Sequence, residues 1–452
     1  MRFATDAVAR ATRGRRIGPD VEVDGADIDS RTIRPGQLFV PIVGDRDGHD
    51  FIGEALTAGA PAYLTSRAPV LGTSAAATAV AVPDTGRALL ALGRVARGRL
   101  PDTVVGITGS VGKTTVKDLI AAALRTTFRI AASPRSFNNE LGVPLTLVNA
   151  PEDVEVTVTE LGARGRGQVA ELCDVVRPTV GVVIAVALAH TELFGTIDDV
   201  AAAKRELVEA LPTDGTAVLN ADDPRVAAMA SRTAARVLRF GRAAGADADV
   251  RATDIELDEE LRVRFTLVTP WGSTPVRLGI RGEHQVTNAL AATAAALAAG
   301  VPFGALPAGL AAEAASPWRM HVARTAAGAV VLNDAYNANP ASMTAALRSL
   351  AALPARRRVA VVGLMAELGT IAEREHRRIA ELARSLGIEL VVVGTPLYGM
   401  PAVADADAAV ERLGDLAEGD AVLVKASRVV GLERMAEALA GGGVRQADAV
   451  ES

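Results

Sequence analysis

The stretch from Thr103 to Ile120, TVVGITGSVGKTTVKDLI, constrains this chain more than any other. Thr103 to Ile107 is a β-rich run after Pro101, and Thr108 to Gly112 is small, polar and glycine-punctuated. From Thr114 onward the apolar positions Val116, Leu119, Ile120, Ala123 and Leu124 recur at helical spacing. Strand, glycine loop and helix in that order form a phosphate cradle: loop N–H groups and the helix N-terminus point at an anion, and a lysine adds a movable cation. Thr108, Gly109, Ser110, Val111, Gly112, Lys113, Thr114 and Thr115 are the expected cradle, with the Thr114 hydroxyl offered to Mg²⁺. The strict pattern wants glycine six residues before the lysine, where Ile107 stands; Gly106 is one place earlier. The match is therefore to a variant, GxxGKTT, and the competing reading is a glycine turn with a solvated lysine. The flanking strand and helix favour nucleoside triphosphate binding.

Composition narrows the class. A length of 452 residues suits roughly three domains. Hydrophobic content of 49% with 22% charged describes a globular chain with ample core, and with only 3% aromatics the helices should be alanine-faced. A net charge of −5 gives no electrostatic reason to expect nucleic acid. The single cysteine, Cys173, excludes an internal disulfide and fits a reducing compartment. Met1 to Arg16 carries five arginines but no apolar core of signal-peptide length, and the longest apolar run, Val180 to Ala189, is too short to span a bilayer. A cytoplasmic monomer with no membrane insertion is expected.

Three α/β regions are expected. Residues 1–98 read as a small α/β unit, with a helix over Met1 to Ala11, strands at Leu38 to Val43 and Ala62 to Thr65, and a helix over Phe51 to Ala58. Ser30 and Arg31 there fit either a phosphate or ribose contact or plain turn chemistry. Residues 99–315 hold the phosphate loop and strands at Glu155 to Glu160, Val180 to Val186 and Thr216 to Leu219. From Asp247 to Ile280 the pattern turns to period two, suggesting an antiparallel insertion. Residues 316–452 alternate strands at Ala329 to Asn333, Arg358 to Val362, Glu389 to Val393 and Ala421 to Val424 with helices at Ser342 to Ala352, Ile371 to Leu386, Ala402 to Leu413 and Val429 to Leu439, predicting a parallel sheet of Rossmann-like type.

Polar residues gather where strands end, which is where open α/β sheets bind ligands. Glu160 and His190 follow strands expected beside the phosphate loop, as Mg²⁺ ligands or as an ordinary strand end and a structural histidine. Lys204, on a helix over Val200 to Leu211, looks like a solvent-facing lysine. The turn Leu332 to Pro340 is dense in hydrogen-bonding side chains, Asp334, Tyr336, Asn337 and Asn339, and reads as a ligand-binding turn, though Asn339 before Pro340 also fits helix capping. Lys425 and Arg428 fit an anion clamp or helix-start chemistry, and Arg319 sits at the junction of the second and third regions.

At these residues the chain resembles the Mur ligases, the ATP-dependent amide-bond-forming family of peptidoglycan synthesis. The resemblance covers nearly the whole chain through ordered motifs: DSR, PGQLFV and GDRDGHDF near the start, TGSVGKTT, SFNNELGVPLTL, GEHQVTNALAA, WRM, DAYNANPASM, MAELG and KASR. DAYNANP matches the branch whose substrates are UDP-N-acetylmuramoyl-tripeptide and D-alanyl-D-alanine; sister ligases and folate-type synthases differ there. The resemblance implies a UDP-sugar domain, a central ATPase domain and a C-terminal ligase domain, in cell-wall synthesis and hence cell shape and division. It implies that Lys113 and the loop amides hold ATP, that Thr114, Glu160 and His190 serve Mg²⁺, and that Lys204 reacts with CO₂ to form a carbamate that positions a second Mg²⁺. It also implies that Asn288 lies on the adenine side, Arg319 near the γ-phosphate and Asp334 at ribose or phosphate. Ser30, Arg31, Asn138, Asn139, Tyr336, Asn337, Asn339, Lys425 and Arg428 would contact the other substrates. The chain departs from the family pattern at Ala185 to Ala189, Gln285, Leu364 and Ala426. A sister ligase for another amino acid or dipeptide, or a catalytically impaired UDP-sugar-binding paralogue, is the alternative.

Overall fold

A computed structural model describes residues 1–69, 77–188, 191–243, 245, 247–313 and 316–441. Near the N-terminus, Arg2–Ala4 pairs antiparallel with Glu22–Asp24, so the first helix starts only at Thr5 and runs Thr5–Thr12. A five-stranded sheet follows in the order Arg15–Ile17, Thr78–Ala81, Ala62–Thr65, Leu38–Phe39, Ala26–Asp27, antiparallel at its first pair and parallel thereafter. The strand expected over Leu38 to Val43 ends at Phe39, two residues before Pro41, which has no N–H to give a ladder.

The helix Thr85–Arg97 then ties this part to the next. It packs on Thr5–Thr12 and also on the helices Gly142–Val148 and Gln168–Val176. One apolar core therefore runs from Met1, Val8 and Leu64 through Leu89 and Leu92 to Val148 and Val175. Arg97 is buried at this seam, its guanidinium donating to the carbonyls of Val176 at 2.5 Å and Pro101 at 3.1 Å.

The central sheet has nine strands, in the order Gly272–Arg281, Arg262–Thr269, Val250–Leu257, Arg236–Gly241, Thr216–Asn220, Val180–Val183, Val104–Thr108, Val156–Glu160, Ile130–Ala132. The period-two strands expected as an insertion are the antiparallel wing of this same sheet. Val250–Leu257 joins it in parallel through Phe240↔Val250 and Gly241↔Arg251, and the next two strands add antiparallel. The strand expected over Val180 to Val186 stops at Val183, because the backbone beyond leaves the ladder to meet the phosphate loop: Ser110 N–H donates to Ala185 O at 2.9 Å. The helix Gln285–Ala298 buries Ala289, Ala291, Ala292, Ala294, Ala295 and Ala296 and packs against Lys113–Arg125, a close approach that small side chains permit.

The last third forms a six-stranded sheet in the order His321–Arg324, Val330–Asn333, Asp420–Lys425, Arg357–Val362, Glu389–Val393, Ala402–Val403. Only its first pair is antiparallel. The inner four strands match expectation. The two edge strands do not, and Ala402 opens an edge strand rather than a helix, which begins at Ala406 under an Asp405 cap. No helix among the described residues is long and apolar enough to cross a membrane.

Candidate active site

Between the central and last sheets lies a cleft of about 830 Å³, walled on one side by residues 110–115 and Glu160 and on the other by Asp334, Tyr336, Asn337 and Lys425. The phosphate loop leaves the strand Val104–Thr108 and enters the helix Lys113–Arg125 through Gly112 at φ +80°. A side chain at Gly112 is excluded twice over, since a Cβ there would lie 2.6 Å from Asn288 Oδ1. Ser110 is laced to the segment after Val183: its hydroxyl donates to Ala187 O at 2.9 Å. The Thr108 hydroxyl is spent on Leu161 O at 2.8 Å, while Thr115 is buried and lines the cleft with Val111.

Lys113 folds its Nζ onto Gly109 O at 2.8 Å, inside its own loop. Burial, and secondarily Arg319, lower its pKa, while Glu160 opposes them. Glu160 is 1% exposed and held at both oxygens, accepting from the Thr114 hydroxyl at 2.9 Å and from Asn138 Nδ2 at 2.8 Å. Thr114 and Glu160 thus bring a hydroxyl and a carboxylate together at the loop. Among the described residues no group of three His, Cys, Asp or Glu forms a metal cage. Two oxygen donors beside a phosphate loop still fit Mg²⁺, which takes one or two protein ligands and completes its shell with phosphate and water. Lys204 lies behind this wall, 2% exposed. Its Nζ sits 5.6 Å from the Phe194 ring centre and makes no hydrogen bond or ion pair among the described residues. Burial first, then Lys113, push its pKa down to about 7 against the pull of Glu206 and Glu160. His190, expected as the third ligand, lies outside the described residues.

On the far wall Asp334 ends the strand Val330–Asn333. Lys425 Nζ reaches it at 2.6 Å and also donates to Asn337 O at 2.8 Å, so the 334–337 turn is wrapped on a buried ammonium. Asp334 Oδ1 accepts from Met320 N–H at 3.1 Å. The Arg319 guanidinium stacks 4.2 Å over the Tyr336 ring, and the Tyr336 hydroxyl bonds Ser136 across the cleft. Asn339 caps the helix Pro340–Ala352 in a reciprocal box with Ser342. Asn288 donates to Gln285 Oε1 at 2.7 Å, and both line the cleft with Asn139, whose Oδ1 accepts from Gly142 N–H.

Three expected residues stand apart from the cleft. Ser30 bonds Glu54, and Arg31 pairs with Asp29 at 2.8 Å, within the five-stranded part. Arg428 stacks on Trp318 at 4.4 Å and pairs with Glu433 at 3.0 Å. Conversely, the cleft includes Arg164, Asn220 and His284, which sequence reasoning did not single out. Burial drives the His284 pKa down to about 4, so its imidazole is neutral at neutral pH despite Asp334 nearby. Its position just before an alanine-rich helix N-terminus, in GEHQVTN, was the available signal.

Known proteins resemble this chain over most of its length. Residues 22–98 match the Mur ligase family, catalytic domain; residues 107–296 match the Mur ligase middle domain; and residues 318–428 match the Mur ligase, glutamate ligase domain. The chain is 42% identical to the UDP-N-acetylmuramoyl-tripeptide–D-alanyl-D-alanine ligase of Mycobacterium tuberculosis, over 94% of this chain and 92% of the relative. It is 38% identical to the ligase of that name in Escherichia coli, over 94% and 96%. Among solved structures, MurF from Acinetobacter baumannii superposes with a TM-score of 0.87 at 29% identity, covering 97% of this chain and 99% of that one. MurF ligase from Thermotoga maritima in complex with ADP gives 0.80 at 29%, covering 92% and 97%. With three matched domains in one order, a phosphate loop facing the DAYNANP turn, and relatives aligned nearly end to end, this chain belongs to the Mur ligase family.

Proposed function

We propose that this chain joins D-alanyl-D-alanine to UDP-N-acetylmuramoyl-tripeptide, with ATP cleaved to ADP and phosphate. The observation that carries the reading is the cleft itself, with the phosphate loop and the 334–337 turn facing each other. On this reading the chain divides into a UDP-sugar unit over 1–98, an ATP unit over 99–315 and a ligase unit over 316–452, working as a monomer in the cytoplasm.

A carboxylate does not yield an amide to an amine unaided, because oxide is too poor a leaving group. The tripeptide's terminal carboxylate attacks the γ-phosphorus, forming an acyl–phosphate bond and releasing ADP. The amine of D-alanyl-D-alanine then adds to that carbonyl, phosphate departs, and the amine's extra proton passes to solvent. The residues of this chain act by alignment and charge neutralisation. Loop amides, Lys113 and Arg319 hold the phosphates; Gly112 lets Asn288 and the loop approach closely. Asp334 and Lys425 fix the turn that presents Tyr336 and Asn337 to the substrates. Thr114 and Glu160 would hold Mg²⁺, which neutralises charge on the transferring phosphoryl group. Lys204, buried and with no hydrogen bond or ion pair among the described residues, is suited to carboxylation by CO₂, since only a neutral amine reacts.

The test is phosphate release with ATP, Mg²⁺ and both cosubstrates, each omitted in turn. Release that requires both is expected. Release supported by another amino acid or dipeptide in place of D-alanyl-D-alanine would assign a sister reaction instead, and UDP-sugar binding without release would assign an impaired paralogue.

A further inference from the structure

Behind the cleft lies a second, much smaller void of about 10 Å³, lined by Thr115, Asp118, Gln285, Glu313 and Arg319 together with apolar residues of the helix Lys113–Arg125. Two of these residues bring buried polar atoms that find no hydrogen-bond partner among the described residues: Asp118 Oδ2 and Arg319 Nε. The other Asp118 oxygen is engaged, 3.2 Å from the buried Lys117 Nζ, which itself donates to the carbonyls of Ser133 and Arg135. Arg319 also lines the main cleft, and its guanidinium rests on Tyr336 with no hydrogen bond to another described residue. Its neighbours Trp318 and Met320 both hold left-handed backbone, at φ 57° and 52°. A side chain carried on such a kinked segment needs something besides its own backbone to fix its direction.

A volume of this size holds one water molecule, provided two or more polar groups can meet it, and the lining brings the unpartnered carboxylate oxygen of Asp118 and guanidinium Nε of Arg319 together with Thr115 and Gln285. We propose that Asp118 is a positioning residue for the ligation reaction: through one water in this void it anchors Arg319 Nε and so aims the guanidinium into the cleft. The water donates to Asp118 Oδ2 and accepts from Arg319 Nε. Asp118 belongs to the phosphate-loop helix and Arg319 to the junction with the last third of the chain, so the bridge sets the arginine relative to the loop that holds the triphosphate. The inference rests on the proposed reading in which Arg319 meets the phosphate chain, and it adds how that arginine is held.

The test is a double-mutant cycle on phosphate release, with Asp118→Ala, Asp118→Asn, Arg319→Gln and the Asp118→Ala/Arg319→Gln pair, alongside ADP affinity and melting temperature. Losing a hydrogen bond to a charged group predicts that Asp118→Ala lowers kcat about tenfold. ADP binding should change less than about threefold, because the loop itself is untouched. Asp118→Asn, which keeps the shape and an oxygen acceptor and spares Lys117, should fall between wild type and Asp118→Ala. The double variant should be no slower than Arg319→Gln alone, because the two side chains act as one unit. Additive losses, or a kcat for Asp118→Ala and Asp118→Asn equal to that of wild type, overturn the bridge while leaving the ligase reading intact. A wild-type rate in Arg319→Gln removes the arginine's role and the inference with it. Absence of turnover in the unmutated protein would count against the proposed function itself.

Discussion

At the scale of single residues, Lys204 shows how little of a side chain's chemistry belongs to its type. In the sequence it is one of four lysines and looks like an ordinary helical one. In the fold its ammonium is 2% exposed, faces Phe194 and lies within the field of Lys113, and the balance of those costs brings its pKa to about 7. A lysine whose folded pKa lies below its usual value binds fewer protons folded than unfolded between those two values. Stability of the ligand-free protein should therefore rise with pH from about 7 toward the ordinary lysine range, at a slope of about 1.4 kcal/mol per pH unit where the difference is one full proton. Lys204→Met keeps the volume and should flatten that rise, as denaturant titrations at a series of pH values would read. Lys204→Ala should slow turnover on the order of 100-fold while leaving ADP affinity nearly unchanged, since it removes charge organisation rather than the loop. Lys204→Arg should not rescue, because a guanidinium cannot shed its proton to react with CO₂. Turnover in Lys204→Ala matching wild type, with no bicarbonate added, would rule out a carbamate.

At the scale of elements, the phosphate loop depends on backbone that only glycine tolerates. Gly112 combines φ +80° with a neighbour 2.6 Å from where a Cβ would stand. Gly112→Ala must both strain the helix entry and displace Asn288, so ADP affinity should fall tenfold or more, at about 1–3 kcal/mol for the backbone alone. Calorimetric titration giving wild-type affinity would mean that the loop does not bind phosphates in this conformation. Strand, loop and helix here were legible from 18 residues because the local pattern and the required geometry coincide. The wing at residues 250–281 was legible as three strands but not as part of the central sheet, since joining it takes only the two backbone pairs at Phe240 and Gly241. Strand ends were misjudged where a tertiary partner captured the backbone, as Ser110 does at Ala185. Side-chain roles at the far wall were legible as a cluster but not individually. Asn339 is occupied as a cap, and Lys425 is wrapped by Asp334 and Asn337, whereas Arg428 points to Trp318.

At the scale of the whole molecule, the cleft divides two bodies that are built differently. The first two regions share one apolar core through Thr85–Arg97, with Arg97 buried across the seam. The last third carries its own cores on the two faces of its sheet, and takes from the central region Leu261, with Leu257 packed beside it. Across the cleft, among the described residues, polar contacts join Ser136 to Tyr336, Arg164 to Glu367 at 3.9 Å, and Glu192 N–H to Glu367 O at 3.3 Å. Shared core resists relative motion far more than exposed polar contacts do, because separating it exposes apolar surface. Closure on substrates should therefore swing residues 316–441 against a body made of both earlier regions. Cysteines introduced at the exposed positions Arg10, Asp214 and Arg384 would carry spin labels; Cys173 is buried with its thiol pushed up to about 12 and would stay unlabelled. With ADP and UDP-N-acetylmuramoyl-tripeptide added, the Arg10–Arg384 and Asp214–Arg384 distances should change by roughly 2 Å or more, and Arg10–Asp214 should not. A change in Arg10–Asp214 as large as the other two would mean that the shared core yields on binding, and the first region would have to be counted as a third moving body.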